Sequence, residues 1–278
     1  MSKLTIPLLL AATHLVSGCG ILWWLEPEPP PEQAAAKKVR ELPDDLNGLL
    51  AVADRSHEAN TRKGVHLALA ALDKARGVAP EDPEVVWREA RSLFWLAQYG
   101  ADERRLQWGR DAVDRASKMI GMQPDRVEGH YYKAGALGLV LQHDPSVGLK
   151  RISEVIDSLH QAIEIDGRFS HAAPHLALGA ILLKAPPFPT GPGDLDAALE
   201  SLEQAVKHAP RWPENWLWLA EAKLADRDLA GAKRDAKRCL VLLEGMSGME
   251  AGTWRQKAKK ILRQIREKRH RNRDATTF

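Results

Sequence analysis

The chain has 278 residues, and its hydrophobic content of 44% is sufficient for a continuous core. Its formal net charge is only +3, but residues 251–278 carry +8 and leave −5 for the rest of the chain. Because only the C-terminal segment is basic, these values argue against nucleic-acid binding by residues 1–250.

The N-terminus has the pattern of an export signal. Lys3 gives a positive start, residues 6–16 are mostly apolar, and Leu15-Val16-Ser17-Gly18-Cys19 follows. A short apolar stretch that ends in small residues is typical of a secretory signal. The last five residues resemble the bacterial lipobox. That resemblance implies a signal peptide over 1–18, cleavage before Cys19, and a Cys19 that carries a diacylglycerol thioether and an N-terminal acyl chain.

The same region permits a second interpretation, an uncleaved membrane anchor. Leu4 to Leu25 is a 22-residue stretch without Asp, Glu, Lys or Arg, which is long enough to span a bilayer. Trp23 and Trp24 would then lie at the membrane interface. Under either interpretation the rest of the chain is tethered on the far side of a membrane. The Pro- and Glu-rich run over 26–33 makes residues 19–43 an extended tether.

Helix-ending residues recur at a nearly constant interval over residues 44–245. Pro80, Pro124, Gly167 and Pro210 are 44, 43 and 43 residues apart, and each follows a helix-like run. A period of this size is typical of stacked helical hairpins. We therefore predict an all-α fold, a helical-hairpin solenoid that forms a right-handed superhelix of four to five hairpins.

Residues 249–278 are predicted to form a last helix with a basic tail. Its simplest role is a cap that covers the exposed end of the last repeat. The alternative is an electrostatic contact with anionic lipid head groups or an acidic partner. The apolar stripe of this helix has the three- and four-residue spacing of one helix face and consists of Trp254, Ala258, Ile261, Leu262 and Ile265.

The hairpins resemble tetratricopeptide repeats. That repeat has an aromatic, a Leu and a small residue in its first helix, small residues in its second helix, and a Pro at its end. Three units exceed the usual 34 residues by seven to nine residues between their helices, and we expect these insertions at one edge of the solenoid. The last insertion, over 184–194, is too rich in Pro and Gly for a helix. The clearest unit places at the signature positions Trp216, Leu219, Ala220, Ala232, Ala236 and Cys239.

A lipobox, a Pro-rich tether, hairpins of about 43 residues and the sequence over 175–222 together resemble the TatT family. These proteins are the T components associated with tripartite ATP-independent periplasmic (TRAP) transporters. The resemblance implies a periplasmic lipoprotein that forms a homotrimer, binds the transporter's solute-binding protein and takes up a small hydrophobic ligand. Gly20 stands where some bacteria place the Asp that retains lipoproteins in the inner membrane, so the outer membrane is favoured.

The first helix of each repeat is expected to line a concave groove. Repeats that bind a terminal carboxylate place Lys, Arg and Asn there, whereas this chain places mainly apolar residues there, which suits a hydrophobic ligand or an amphipathic helix. The alternative is that an inserted loop or the terminal helix fills this face. The candidate ligand-binding residues are Arg88, Trp95, Tyr132, Leu139, Leu176, Leu183, Leu217 and Leu224.

Two other features have structural interpretations that outweigh their functional ones. His171 and His175 have the H-x-x-x-H spacing of a zinc site, but no third ligand is evident and Pro174 lies between them. Cys239 takes a position that is usually Ala, so we expect a buried small side chain and not a reactive thiol.

The sequence carries no catalytic motif of a common kind. It lacks G-x-S-x-G, a phosphate-binding Gly loop, C-x-x-C and H-E-x-x-H. We therefore predict a non-catalytic protein without a cofactor or metal. The leading functional hypothesis is a TRAP-associated accessory lipoprotein that binds a hydrophobic molecule, a solute-binding protein or both. The alternative is a scaffold lipoprotein for outer-membrane protein or pilus assembly.

Overall fold

The fold was analysed in a computed structural model, which describes residues 42–143 and 150–275. The predicted signal, Cys19 and the tether lie outside the described residues. Within the described ranges the chain forms eleven helices. They are α1 Leu46–Glu58, α2 Arg62–Val78, α3 Pro83–Tyr99, α4 Asp102–Met122, α5 Val127–His143, α6 Lys150–Asp166, α7 Phe169–Lys184, α8 Leu195–His208, α9 Pro213–Ala225, α10 Leu229–Leu242 and α11 Met249–Ala275.

Successive helices pair into five antiparallel hairpins, α1–α2 through α9–α10. Each odd-numbered helix also contacts the next odd-numbered helix, so that α1, α3, α5, α7, α9 and α11 form one contiguous layer. The final helix, α11, packs on both α9 and α10. The predicted fold class, an all-α helical-hairpin solenoid with a C-terminal capping helix, is thereby confirmed.

Local sequence signals explain where the helices begin. An Asp or Thr side chain precedes α1, α2, α3, α8 and α10 and accepts a hydrogen bond from a first-turn N–H group. This interaction satisfies one of the unpaired donors at a helix N-terminus. Proline occupies the first position of α3 and α9, where its missing N–H costs no hydrogen bond.

Small residues allow the paired helices to pack closely. Ala198 and Ala205 of α8 and Ala232 and Ala236 of α10 are fully buried. Gly179 of α7 shows how tight the packing is, because a Cβ atom there would lie 2.5 Å from Cγ of Leu202. The small residues of the repeat signature therefore determine how closely the two helices approach, in addition to supplying apolar surface.

The second hairpin contradicts the expectation of an inserted loop between its helices. Only Gly100 and Ala101 separate α3 from α4, and the additional residues lengthen the two helices to 17 and 21 residues, against 13 and 14 in the last hairpin. The connection is short because Trp108 packs over Gly100, where a Cβ would lie 2.2 Å from the indole, and Arg105 donates to carbonyl groups at the end of α3.

The Pro- and Gly-rich segment between α7 and α8 is a loop, as its composition indicates. It is closed by backbone hydrogen bonds from Gly193 to Pro186 (2.8 Å) and from Asp194 to Leu182 (3.1 Å). At its tip Thr190 donates through both its N–H and its hydroxyl to the carbonyl of Pro187. This loop is therefore braced internally and projects from one edge of the solenoid.

Candidate functional site

The start of α11 reaches across the superhelix to the turn between α1 and α2. The N–H of Met249 donates to the carbonyl oxygen of Asn60 (3.2 Å), and the N–H of Glu250 donates to its side-chain Oδ1 (3.3 Å). Asn60 thus caps a helix whose second residue lies 190 positions later in the chain. We call this contact between Asn60 and residues 248–250 the closure, because it joins the last helix to the first hairpin.

Asn60 has the backbone geometry that the closure requires. Its φ is +51°, in the left-handed region that Asn tolerates better than most residues. Gly248 has a φ of +98°, and a Cβ atom there would lie 3.0 Å from Cβ of Asn60. Glycine at 248 therefore provides both the backbone conformation and the space for the two segments to meet.

An apolar cluster supports the closure from inside the superhelix. Met249 packs, with Leu139 of α5, against a buried group that includes Trp95 and Tyr99 of α3. Trp95 is 4% exposed, and its ring centroid lies 5.1 Å from that of Tyr99. The concave face of the first three hairpins is therefore partly occupied by the chain's own C-terminal helix.

Two carboxyl groups interact in this interior. Burial raises the pKa of Glu214 in α9 to about 7, and the negative charge of Glu250 adds to the effect while Lys257 opposes it. Burial also raises the pKa of Glu250. Tyr99 lies near both groups, and its pKa is raised chiefly by burial and then by their charges. The interior thus combines aromatic rings with two acids that resist simultaneous ionisation.

Solved structures of other proteins share this architecture. TTC0263, a thermophilic TPR protein from Thermus thermophilus, is similar with a TM-score of 0.61 at 19% identity, over 78% of this chain and 99% of that one. The chain has the tetratricopeptide-repeat fold. PilW, a widely conserved type IV pilus biogenesis factor, is similar with a TM-score of 0.53 at 16% identity, over 80% of this chain and 92% of PilW. No protein-family model matches the sequence, and no curated protein sequence matches it either.

The first helices of these tetratricopeptide repeats also carry an ion-pair network. Asp54 of α1 accepts from Arg88 (2.9 Å) and from Arg91 (2.7 Å) of α3, and Arg88 also donates to Glu84. Both guanidinium groups lie over the ring of Trp87, at 4.3 and 4.9 Å. Burial acts to raise the pKa of Asp54, but hydrogen bonds from the two arginines hold it below its usual value. The charge of Arg88 is therefore balanced by Asp54 and Glu84 within the protein.

The eight candidate ligand-binding residues belong to several side-chain clusters along the layer of odd-numbered helices. Trp95 and Leu139 belong to the cluster at the closure, and Arg88 belongs to the ion-pair network. Tyr132 is buried in an aromatic cluster that spans α3, α5 and α7. Binding by any of these residues stays a prediction. The remaining four lie in two clusters, Leu176 and Leu183 with α8 and α9, and Leu217 and Leu224 with α10 and α11.

The structure places the two candidate zinc ligands against different partners. His171 stacks on Trp212 with ring centroids 3.9 Å apart, and His175 stacks on His208 at 5.4 Å. Burial lowers the pKa of each, and for His175 the charge of His208 adds to this. Among the described residues no group of three or more His, Cys, Asp or Glu could hold a metal ion.

Cys239 is fully buried between α10 and α11, and its burial raises the pKa of its thiol to about 12. A thiol in this state is protonated at neutral pH and unreactive. In the part of the chain that the structure covers, residues 42–143 and 150–275, no helix is long and apolar enough to cross a membrane.

Sequence reasoning missed two features that the structure brings forward, the closure and the exposed tip of the loop between α7 and α8. At this tip Phe188 is 88% exposed and is flanked by exposed prolines. The composition of 184–194 identified the loop, but an aromatic residue in a Pro-rich segment does not reveal whether it points inward. The closure left only a weak signal, the pair Asn60 and Gly248, since both residue types favour positive φ.

Proposed function

We propose that this protein is a non-catalytic scaffold that binds a partner protein in the cell envelope. The observation that carries the proposal is Phe188, a large apolar side chain held in solvent on a braced loop. Buried aromatic anchors contribute a large share of the binding energy in protein interfaces. Because the loop is already ordered by hydrogen bonds, an interface built on Phe188 would lose little conformational entropy on binding.

The packing on the concave face favours a partner that binds at the edge of the solenoid over one that binds in the concave groove. In the first three hairpins, Trp95 and Leu139 pack with Met249 at the start of α11, so a peptide would have to displace this segment to reach them. The loop with Phe188 lies outside that region and is accessible without any rearrangement. We therefore infer that the partner has an apolar pocket that receives the side chain of Phe188. The solenoid serves as the rigid support of the loop.

The kind of assembly is drawn from fold and sequence together. PilW is a type IV pilus biogenesis factor, and its similarity to this chain is in fold. Combined with the lipobox-like sequence at Cys19, it supports the proposal of an envelope lipoprotein that assists pilus or outer-membrane protein assembly. The outer membrane remains the favoured location for the proposed lipid anchor.

A second candidate function is the accessory role in TRAP transport that the resemblance to TatT implies. Its support from the structure is the mixture of partly exposed Tyr131, Trp218 and Glu214 on the inner layer, which could contact a small ligand. Under this proposal the protein forms a trimer, and the loop with Phe188 contacts the solute-binding protein.

The partner proposal is tested by replacing Phe188 with alanine. We expect Phe188→Ala to weaken binding of a cross-linked envelope partner about tenfold or more, as loss of an interface anchor does, with no change in unfolding midpoint since the side chain is exposed. The measurement is quantitative cross-linking mass spectrometry on the full-length protein in envelope extracts.

The matched control for that experiment is Val78→Ala. Val78 is also exposed, at 52%, but lies at the end of α2, away from the loop. Equal partner recovery for the two variants would contradict the scaffold role of the loop. Native mass spectrometry of the same preparation separates the two candidate functions, because a trimer with a small apolar adduct would favour the transport role.

A further inference from the structure

The outward side of α11 is a continuous basic surface. Trp254, Ala258, Ile261 and Ile265 of this helix are buried against α9 and α10. The opposite side presents the exposed side chains of four cations, which fall within about 10 Å along the helix axis. We define these residues as the α11 basic face: Lys259, Lys260, Arg263 and Arg266.

The charges of the α11 basic face are not neutralised by acidic side chains within the described part of the protein. None of its four cations forms an ion pair with any residue of the described ranges, in contrast to Arg76, Arg88 and Arg126. Their nearest acidic neighbour in sequence is Glu267, which is exposed. A helix that served only as a cap would need its apolar stripe and a solvated outer side, but not four unpaired charges of one sign.

The geometry of this face fits an extended surface and not a deep pocket. A shallow groove of about 440 Å³ runs along it, lined by the four cations together with Gln256 and Leu262. All lining residues come from one helix, so the groove has no second wall. Leu262 contributes a partly buried aliphatic side chain between the charges.

We propose that the α11 basic face binds the surface of a bilayer that contains anionic phospholipids. Basic residues near such a surface are attracted to its phosphates, and an aliphatic residue among them suits the boundary between headgroups and acyl chains. Single-stranded nucleic acid is disfavoured because residues 255–268 contain no aromatic side chain on which bases could stack.

This contact goes beyond the proposed partner binding and would orient the solenoid. With α11 against the bilayer, the superhelix would rest on its C-terminal end. The loop with Phe188, which connects α7 and α8, would then be held at a fixed orientation relative to the membrane.

The proposal is tested by lysine footprinting on the full-length protein in lipid nanodiscs. Acetylation by a water-soluble ester is followed by mass spectrometry at Lys259 and Lys260, with the exposed Lys207 of α8 as internal reference. In discs that contain phosphatidylglycerol we expect acetylation of Lys259 and Lys260 to slow about fivefold relative to phosphatidylcholine discs. At about 0.5 M salt the protection should vanish, since the Debye length falls to a few ångströms.

Charge reversal supplies the variant test. Arg263→Glu with Arg266→Glu should abolish the protection of Lys259 and Lys260 without unfolding the protein, because both arginines are exposed. Arg168→Glu with Arg211→Glu, which makes the same charge change at two other exposed arginines and keeps the reference Lys207, should leave that protection unchanged. Equal acetylation in the two disc types would overturn the proposal. Protection by duplex DNA or by inorganic phosphate, with none by phosphatidylglycerol discs, would overturn it as well.

Discussion

Replacing Trp254 by alanine is expected to lower the free energy of unfolding by about 3–5 kcal/mol, the range for truncating a buried Trp. Trp254 is 3% exposed and packs edge-on against Trp212 at 5.4 Å, which in turn stacks on His171. Its loss would leave a cavity between α9, α10 and α11. Urea unfolding monitored by circular dichroism measures the change.

Trp218 provides the matched control for Trp254. It is only partly buried, packs at the margin of the cluster that includes Leu202 and Leu219, and lies near the ammonium groups of Lys184 (5.7 Å) and Lys257 (5.4 Å). Trp218→Ala should therefore cost about 1–2 kcal/mol, less than Trp254→Ala, because only part of its side chain is removed from water. If Trp254→Ala were no more destabilising than Trp218→Ala, α11 would not be packed on the last hairpin as described.

Replacing Glu214 by glutamine is expected to stabilise the protein above pH 7 and to have little effect near pH 4. The pKa of Glu214 is about 7 in the folded protein, above its usual value of 4.5. A raised pKa means that the folded state binds the proton more tightly than the unfolded state. The stability that this proton contributes is complete below pH 4.5 and is lost as the pH rises to about 7.

The size and sign of the Glu214 effect follow from that shift. The neutral glutamine mimics the protonated acid, so at about pH 8 the variant should be more stable than the parent by about 1–3 kcal/mol. Near pH 4 the two should coincide. Thermal unfolding across this range tests the prediction, and Glu203→Gln, an exposed residue on α8, serves as the control. A parent and variant that differ equally at both pH values would refute the raised pKa of Glu214.

The hairpins could be predicted from the sequence because each one is a local event. Its helices are specified by an N-cap such as Asp194, by a short-range apolar period and by a terminating Pro. Small residues such as Ala232 and Ala236 then fix the distance between neighbours. Every one of these signals lies within about 40 residues, so the repeat period alone reveals the fold class.

The prediction of an inserted loop in the second hairpin was wrong, because the number of additional residues does not specify their conformation. Between Leu96 and Trp108 the sequence lacks Pro, and it can extend two helices as readily as it can form a loop. The deciding contacts are Trp108 against Gly100 and Arg105 against the end of α3. Each of these depends on the tertiary arrangement that it helps to build.

The turn at the start of α7 was also beyond sequence reasoning. Ser170, His171 and Ala172 all have positive φ, although none of them is Gly or Asn. The surroundings hold this strained backbone in place. The amide of the fully buried Asn215 donates to the carbonyl of His171 (3.1 Å), and Phe169 packs against Tyr131.

The closure could not be predicted because it depends on the summed curvature of five hairpins. A small error in each interhelical angle would separate Asn60 from Met249 by many ångströms. No local sequence pattern specifies the total curvature that results from these angles. The alternative in which the terminal helix fills the concave face was open from the sequence. The contact of Met249 with the cluster around Trp95 and Tyr99 supports that alternative in the first hairpins.

Hydrogen exchange at the first two amides of α11 tests the closure most directly. First-turn N–H groups of a helix normally have no backbone partner and exchange rapidly. If the closure forms, the amides of Met249 and Glu250 should exchange at least about tenfold more slowly than those of Leu195 and Asp196 at the start of α8. Asn60→Gly, which keeps the positive φ but removes Oδ1, should restore rapid exchange at Glu250 and retain protection at Met249. Rapid exchange of both amides in the unaltered protein would show that the superhelix is open and would contradict the account.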